Sequence, residues 1–269
     1  METIFVMSFN IRNPNPADGE NYWSYRKEKI AGLIKYHSPD IIGLQEAYRS
    51  QLDDLMEFVP EYNWTGVCRT NGLKQPDPDN EFTAILFKKE SFKILDEGTF
   101  WLSESPNVAG SIGWDAKYAR NTTWVKMMDR RDESIFFHFN THFDHKGKLA
   151  RIESASLLLE EVDKIASGYP TIITGDLNST ETSEVYKTLT DKSQVGNFTD
   201  AISKSELPHY GPKITFLDEF HFNGNQGKKI DYIFFKNNIE ILKHAVISDS
   251  WCGKLPSDHL PVISEIKIR

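Results

Sequence analysis

Apolar and polar stretches alternate along the whole chain, and their lengths and periods predict many strands with a few helices between them. Short runs of β-branched and aromatic residues bounded by turn residues are typical of strands. The predicted strands are Ile4–Asn10, Pro39–Glu46, Thr83–Phe87, Phe92–Phe100, Thr122–Met128, Ile135–Thr141, Thr171–Thr174, Ile214–Phe216, Ile230–Phe235, Ile241–Ser248 and Val262–Ile268.

Three segments instead repeat their apolar residues at helical spacing. The predicted inner faces carry Ile30, Leu33 and Ile34 in a helix over Ser24–Tyr36, Leu52, Leu55 and Met56 in a helix over Ser50–Phe58, and Leu149, Ile152, Leu159 and Val162 in a helix after His145. Many strands with few helices indicate an α/β sandwich in which two packed sheets lie between helices. No linker or internal repeat divides the sequence, so we expect one domain over residues 1–269.

Two long polar segments interrupt this pattern. The first, Asn71–Asn80, contains Pro76 and Pro78, and the second is Ser103–Asn121. A loop as long as the second is usually functional or mobile when it lies within a compact domain.

The composition is that of a globular protein, because 39% of the 269 residues are hydrophobic and 17 are Phe. The 39 acidic and 31 basic residues give a net charge of -8, which disfavours a broad basic face for nonspecific binding to duplex nucleic acid. An enzyme of this charge that acts on phosphates needs metal ions or a few placed cations to offset the repulsion.

The sequence shows no signal for export or membrane insertion. The first residues, Met1–Phe9, lack a basic segment and a long apolar core, so they predict a first strand rather than a signal peptide. No apolar run approaches membrane-spanning length. Cys68 and Cys252 are the only cysteines, which argues against a disulfide framework. We therefore expect a cytoplasmic protein, and no feature points to a protein partner.

The strongest chemical signal follows the predicted strand Thr171–Thr174. Asp176 and Asn178 come directly after it, on a loop. Ligand-binding groups in α/β sheets gather at the carboxyl ends of strands, and carboxylate and amide oxygens suit a hard divalent cation and the phosphate that it would hold. Asp and Asn are also ordinary turn formers, so this motif alone does not decide between a site and a turn.

Further polar residues each sit just past an apolar run. They are Asn10, Glu46, His142 with Asp144, and Asp258 with His259. Asp231 differs because it lies inside an apolar run, where a lone buried charge is costly and needs a partner. His259 is the natural candidate. Each residue has an ordinary explanation as a turn former, a helix cap or a core residue, but their joint placement favours a shared site.

Six segments carry a family resemblance. They are Ser8–Arg12, Gly43–Glu46, Asn140–Asp144, Gly175–Asn178, Ile230–Tyr232 and Ser257–His259. Together they resemble the endonuclease/exonuclease/phosphatase superfamily, which includes apurinic endonucleases, pancreatic deoxyribonuclease, neutral sphingomyelinases, inositol polyphosphate 5-phosphatases and deadenylases. The resemblance covers the whole chain and implies a four-layer α/β sandwich, with two packed mixed β-sheets flanked by helices. Because members cleave very different phosphoesters, it says little about the substrate.

The resemblance implies a role for each matched residue on the metal side of the site. Glu46, with Asn10 and Asp258, corresponds to the divalent-metal site, for which we expect Mg2+ or Mn2+. Asp176 and Asn178 correspond to the pair that orients and activates the attacking water, and they could hold a second metal ion.

The remaining matched residues correspond to groups that bind the phosphate. His259, oriented by Asp231, would stabilise the charge of the phosphate. His142 would stabilise the transition state or the leaving oxygen, with support from Asp144, although some members have a tyrosine at the His142 position. Hydrolysis of a phosphodiester gathers negative charge on oxygens around phosphorus, and a metal, imidazolium groups and amide donors aimed at that charge stabilise it.

We therefore expect a metal-dependent phosphoester hydrolase, with a phosphodiester favoured, that works by in-line attack of an activated water. Phe100–Pro106, Gly113–Asp115 and Arg120–Trp124 further resemble a bacterial subset of the superfamily. The alternatives are a nuclease on DNA or RNA, and a non-catalytic binding module on the same fold. Net charge favours a small molecule or lipid headgroup over nucleic acid as the phosphoester substrate.

Four residues are candidates for substrate binding. Arg12, Arg120 and Lys146 could bind substrate phosphates, because an arginine fork fits phosphate oxygens. Solvated surface charge is the alternative for each of them. Trp114 could stack on a base or a lipid-like group, or merely pack its own loop.

Overall fold

The strands of the protein form two sheets. The computed structural model describes residues 2–74, 80–191, 197–217, 219–222 and 226–269. Within these residues the strands are β1 Thr3–Asn10, β2 Ile41–Tyr48, β3 Tyr62–Thr65, β4 Glu81–Lys88, β5 Phe92–Trp101, β6 Asn121–Asp129, β7 Ile135–His142, β8 Thr171–Asp176, β9 Thr199–Asp200, β10 Asp231–Lys236, β11 Ile239–Val246 and β12 Val262–Ile268.

Each sheet is mixed and has six strands within the described ranges. The first has the order β11-β12-β1-β2-β4-β3, and the second has the order β5-β6-β7-β8-β10-β9. The β1–β2 pair and the β7–β8 pair are parallel, and the other neighbours are antiparallel.

Helices cover the outer face of each sheet. In the described part of the chain the α-helices are α1 Trp23–His37, α2 Arg49–Phe58, α3 Lys148–Ala166, α4 Glu184–Thr190 and α5 Ala201–Lys204, with a 3-10 helix at Pro16–Asn21. Apolar residues of α1 and α2 pack on β1, β2 and β4, and those of α3 and α4 pack on β7, β8 and β10. No described helix is long and apolar enough to cross a membrane.

The core between the sheets follows the period of the strands. In β1, Ile4 and Val6 face the second sheet, whereas Met7 and Phe9 lie under α1. Because successive side chains of a strand point to opposite faces, a strand covered on both sides is apolar throughout. The result is the predicted four-layer α/β sandwich, which the structure confirms.

One edge of the sandwich gathers the predicted polar residues. The carboxyl ends of β1, β2, β7 and β8 open there. β10 runs antiparallel to β8 with Asp231 opposite Asp176, and β12 runs antiparallel to β1 with Val262 opposite Ser8. The residues that begin β10 and precede β12 therefore lie beside the residues that end β8 and β1.

Two expectations about the elements were wrong. Within the described residues Ile214–Phe216 does not join a sheet, because Phe216 makes isolated bridges there, to Lys228 and His259. Leu149 does not lie on the buried face of α3, since its exposed fraction is 48%. The buried residues of α3 are Ala150, Ser154, Ala155, Leu158, Val162 and Ala166, and their mostly small side chains bring the helix close to the sheet. Pro76 and Pro78 lie outside the described residues.

Candidate active site

A cleft with a volume of ≈ 420 Å³ opens at the edge where the strand ends meet. The predicted residues that line it are Arg12, Glu46, Arg120, His142, Asp176, Asn178, Asp258 and His259. Asn10 and Asp231 lie directly behind this lining and are hydrogen-bonded to it. The strand-end prediction therefore identifies residues that meet in one place.

A β-bulge aims Glu46 into the cleft. The register of β2 against β4 shifts between Leu44 and Ala47, and Glu46 adopts the left-handed conformation with φ 61°. A bulge of this kind redirects a side chain, and a left-handed non-glycine residue persists only where its surroundings hold it. The bulge separates Glu46, at the cleft, from Gln45, which points between the sheets.

A polar network between the sheets fixes the floor of the cleft. Gln45 Nε2 donates to Asn140 Oδ1 (2.7 Å), and Asn140 Nδ2 donates to a backbone carbonyl of β2 and to one of β4 (both 2.8 Å). The network needs Gly43, because a Cβ there would lie 2.0 Å from Thr174 Oγ1. These contacts tie the strand that carries Glu46 to the sheet that carries His142.

Asn10 links the two carboxylates at the centre of the site. Its Nδ2 atom donates to Glu46 Oε1 (3.1 Å) and to Asp176 Oδ2 (3.0 Å). The other Glu46 oxygen accepts from the backbone and side-chain amides of Asn13 (3.1 and 3.0 Å). Burial raises the pKa of Glu46, but a larger opposing effect comes from the charges of His259 and Arg12 and from these hydrogen bonds. Together they hold this pKa below its usual value. The carboxylate therefore stays charged.

Asp176 has the properties of a general base. Burial and the negative charge of Asp231 raise the pKa of Asp176 to about 7. Its Oδ1 atom accepts from the backbone N–H of Asn178 (2.8 Å), which has a left-handed φ of 47°. A carboxylate whose pKa lies near neutrality is suited to accept a proton from water.

His259 is held as a cation. Its Nδ1 atom donates to Asp231 Oδ2 (2.9 Å), as predicted, and its Nε2 atom lies 3.8 Å from Asp176 Oδ2. Burial disfavours the charged ring, but the charge and hydrogen bond of Asp231, with Asp176 and Asp258, raise the pKa of His259 to about 10. A positive group therefore faces the centre of the cleft.

The surroundings of His142 favour a neutral ring. Arg120 Nη1 donates to His142 Nδ1 (2.8 Å), so the neutral ring carries its proton on Nε2, which lies 3.5 Å from Asp176 Oδ2. Burial and the charges of Arg120 and Arg69 hold the pKa of His142 well below its usual value. His142 can donate a hydrogen bond but adds no charge.

Several lining residues were not predicted. Arg69 forms an ion pair with Glu81, and Glu81 Oε2 also lies 3.5 Å from Arg120 Nη1. The Tyr118 ring stacks on His145 with centroids 5.6 Å apart, and the Arg69 guanidinium lies 5.5 Å from the Tyr118 ring. Arg69, Arg120, Tyr118 and His145 thus form the wall of the cleft beside His142, which is rich in cationic and aromatic side chains. Of these unpredicted lining residues, His145 is the one that the sequence could have indicated, because it directly follows the matched segment Asn140–Asp144.

Asp144 positions the long loop rather than touching His142. Its Oδ2 atom accepts from the backbone N–H of Gly147 (2.7 Å) and Lys117 (3.2 Å), and its Oδ1 atom lies 3.7 Å from Arg120 Nε. Its support for His142 is therefore indirect, through Arg120.

The predicted substrate-binding residues divide into two groups. Arg12 lines the cleft, with a bidentate contact to Asp18 (3.0 and 2.9 Å) and with Nη1 3.6 Å from Asp258 Oδ2. Trp114 and Lys146 are not among the described residues that line the cleft. Trp114 is instead tied to its own loop, because its backbone N–H donates to the Glu104 carboxylate (3.1 Å).

The ligand atoms beside Glu46 fit a hard divalent cation, since the carboxylates of half-buried Glu46 and buried Asp176 converge on Asn10 Nδ2. Asp231, opposite Asp176 in the sheet, has an Oδ1 atom with no hydrogen-bond partner among the described residues. Ligand atoms of Asp176, Asp231 and His259 also lie within 4.8 Å of one another. A doubly protonated imidazole cannot bind a metal, so that triplet is a weaker metal site than Glu46. Asn10 donates here, and metal binding by its oxygen requires its amide to turn over.

Solved structures of other proteins share this fold. The chain is 33% identical to an endonuclease/exonuclease/phosphatase from Bacteroides vulgatus, with a TM-score of 0.93 and 100% of both chains covered. It is 34% identical to the mannosyl-6-phosphatase of Bacteroides thetaiotaomicron, with a TM-score of 0.91 and with 98% of this chain and 100% of that chain covered.

A more distant similarity joins the chain to nucleases. It is 22% identical to the Ccr4 3'-5'-exoribonuclease subunit of the CCR4-Not complex of Mycosarcoma maydis, over 100% of this chain and 51% of that relative. The chain thus spans about half the length of that protein. The profile of the Endonuclease/Exonuclease/phosphatase family, whose members include metal-dependent phosphoester hydrolases, matches residues 7–259. The chain therefore belongs to the endonuclease/exonuclease/phosphatase family.

Proposed function

We propose that this cleft hydrolyses phosphoester bonds with the help of a divalent cation. The surroundings of Asp176 carry the proposal: its Oδ2 atom lies 3.0 Å from Asn10 Nδ2, 3.5 Å from His142 Nε2 and 3.8 Å from His259 Nε2. A base with a pKa near 7 thus stands between an acidic pocket and two imidazoles. Water activated by Asp176 can attack a phosphorus atom whose oxygens face both rings.

Each group then has one task. Glu46, with Asp258 and Asn10, would hold Mg2+ or Mn2+, and the cation would act as a Lewis acid on a phosphoryl oxygen. Asn178 orients the base, the His259 imidazolium stabilises charge on the phosphate, and the neutral His142 donates a hydrogen bond to a phosphate oxygen or to the leaving oxygen.

The substrate that we propose is a small phosphorylated compound rather than a nucleic acid. The net charge of -8 and a cleft of ≈ 420 Å³ favour a compact ligand. The similarity to the mannosyl-6-phosphatase supports a sugar phosphate monoester, whereas our prediction from the sequence favoured a phosphodiester. Arg69 and Arg120, in the wall beside His142, are the cations that we expect nearest to the substituents of the phosphate, with Arg12 on the opposite side.

One assay tests the reaction and ranks the substrates. Wild type and Asp176→Ala are incubated with p-nitrophenyl phosphate, bis(p-nitrophenyl) phosphate and mannose 6-phosphate, each with Mg2+, Mn2+ or EDTA. We expect hydrolysis that needs the metal and disappears in the variant. Activity that survives in EDTA, or equal activity in Asp176→Ala, would contradict the proposal.

The similarity to Ccr4 makes ribonuclease activity the second candidate. A nuclease that tracks the phosphate backbone loses affinity steeply with salt. The assay is therefore repeated with single-stranded RNA at low and at physiological salt. RNA cleavage that is faster than small-substrate hydrolysis and strongly inhibited by salt would replace the small-molecule proposal with the nuclease.

A further inference from the structure

The loop that carries Asp176 and Asn178 is held from beneath by a tyrosine that does not reach the cleft. Tyr232 follows Asp231 on β10, so its side chain points to the opposite face of the sheet, and it is fully buried there. Its ring lies 5.2 Å from that of Phe234, between centroids. The ring belongs to the outer core under α3 and α4, and only the hydroxyl group meets the loop.

The Tyr232 hydroxyl bonds the loop one residue after Asn178. It lies 3.0 Å from the Ser179 carbonyl oxygen and 3.1 Å from that of Lys229, and its single hydrogen is shared between these two acceptors. The Lys229 side chain adds a second attachment, because Nζ lies 2.9 Å from both Glu181 Oε1 and Asp200 Oδ2. The start of β10 thus fixes both Ser179 and Glu181.

The backbone at Asn178 lies in the left-handed region, with φ 47°. Asn tolerates this region better than most residues with a Cβ but is not confined to it, so a restraint on the next residue helps to keep the turn. This turn presents the Asn178 N–H to Asp176 Oδ1 (2.8 Å) and lets Asn178 Nδ2 donate to the Phe143 carbonyl oxygen (3.0 Å). If the turn relaxed, Asp176 would lose a donor that orients it.

We propose that Tyr232 is a positioning residue, whose hydroxyl holds the Ser179 carbonyl and thereby keeps Asn178 in the turn that orients Asp176. The catalytic consequence rests on the proposed function, whereas the structural consequence does not. Tyr232 touches neither the cleft nor a substrate in it, so its hydroxyl acts on turnover rather than on substrate affinity.

The test compares Tyr232→Phe with Tyr186→Phe. Both changes remove one hydroxyl from the same aromatic cluster, in which the two rings lie 5.5 Å apart. The Tyr186 hydroxyl donates to Asp200 Oδ2 (3.0 Å) and does not contact Ser179, so it is the matched control. Three quantities are measured: kcat and KM for the nitrophenyl ester that the wild type cleaves, and hydrogen–deuterium exchange of peptides that cover residues 177–180.

We expect Tyr232→Phe to lower kcat about tenfold, to leave KM within about twofold, and to speed exchange at residues 177–180. Tyr186→Phe should leave all three unchanged. Equal exchange at these residues in the two variants, or an equal fall in kcat, would overturn the proposal. An inactive wild type would contradict the proposed function instead, and the exchange comparison would still decide the role of Tyr232.

Discussion

The two sides of the cleft place the same type of residue in opposite charge states. On one side, Asp231, Asp176 and Asp258 surround His259 and raise its pKa to about 10. On the other side, burial and the charges of Arg120 and Arg69 hold the pKa of His142 well below its usual value. The identity of a histidine does not fix its charge, because neighbouring charges and burial do.

This difference suits a phosphate that lies between the two rings. A cation on the His259 side stabilises the charge that develops on the phosphate oxygens. A second imidazolium beside two arginines would meet strong repulsion, whereas a neutral ring can still donate from Nε2. Asp176 is the carboxylate that faces both rings, with Oδ2 3.5 Å from His142 Nε2 and 3.8 Å from His259 Nε2.

The largest effect is therefore expected for Asp176→Asn. The change keeps the shape of the side chain and removes the base, so we expect kcat to fall by about 10³-fold or more. Steady-state kinetics with saturating Mn2+ measures this, and circular dichroism checks that the fold is retained. A variant that keeps a tenth of the wild-type rate would show that another group activates the water.

The next largest effect is expected when each of the two histidines is replaced by Gln, which compares their charge states directly. Gln can present a neutral N–H near the position of Nε2, so it can replace a neutral imidazole but not an imidazolium. We expect His259→Gln to lower kcat by about 10²- to 10³-fold, and His142→Gln to lower it less than about tenfold. Equal losses in the two variants would mean that the two rings have the same charge.

The pH dependence follows from the same pKa values. Below about pH 7 Asp176 binds a proton and stops acting as a base, and above about pH 10 His259 loses the proton that gives it charge. The rate should therefore rise with pH through the first value and fall through the second. Asp231 raises the pKa of His259, so in Asp231→Asn the upper limb should move to lower pH. An upper limb that does not move would refute this pairing.

The smallest effect is expected at Arg120. Its two Nη atoms reach His142 Nδ1 (2.8 Å) and His145 Nδ1 (3.3 Å), and a lysine keeps the charge but cannot form both contacts. We expect Arg120→Lys to lower kcat/KM about three- to tenfold. If Arg120→Lys lowered kcat/KM as much as His259→Gln does, the main electrostatic stabilisation would lie on the His142 side of the cleft.

The site residues that lie at the ends of strands were predictable from the sequence. Their positions depend on the local pattern of apolar and polar residues. Glu46 and Asp176 lie at or near the carboxyl ends of apolar strands, and Asp258 lies just before β12, which runs antiparallel to β1, so that all three reach a common edge. The partner of Asp231 was also predictable, because a charge within a strand needs compensation.

The wall beside His142 was not predictable in the same way. Arg69 lies in irregular structure and Glu81 begins a strand, so no period marks them, and the charge of His142 depends on an arginine 22 residues away. The path of the long loop is likewise set by tertiary contacts, such as those of Asp144. Those contacts place Tyr118 in the lining of the cleft and leave Trp114 outside it.

The most direct test of the contrast between the two rings is a ¹⁵N NMR measurement of their nitrogens at pH 7.5 in metal-free protein. Single His→Gln variants assign the signals of His142 and His259. We predict protons on both nitrogens of His259, and on Nε2 alone of His142. A neutral His259, or a His142 that carries two protons, would contradict the account.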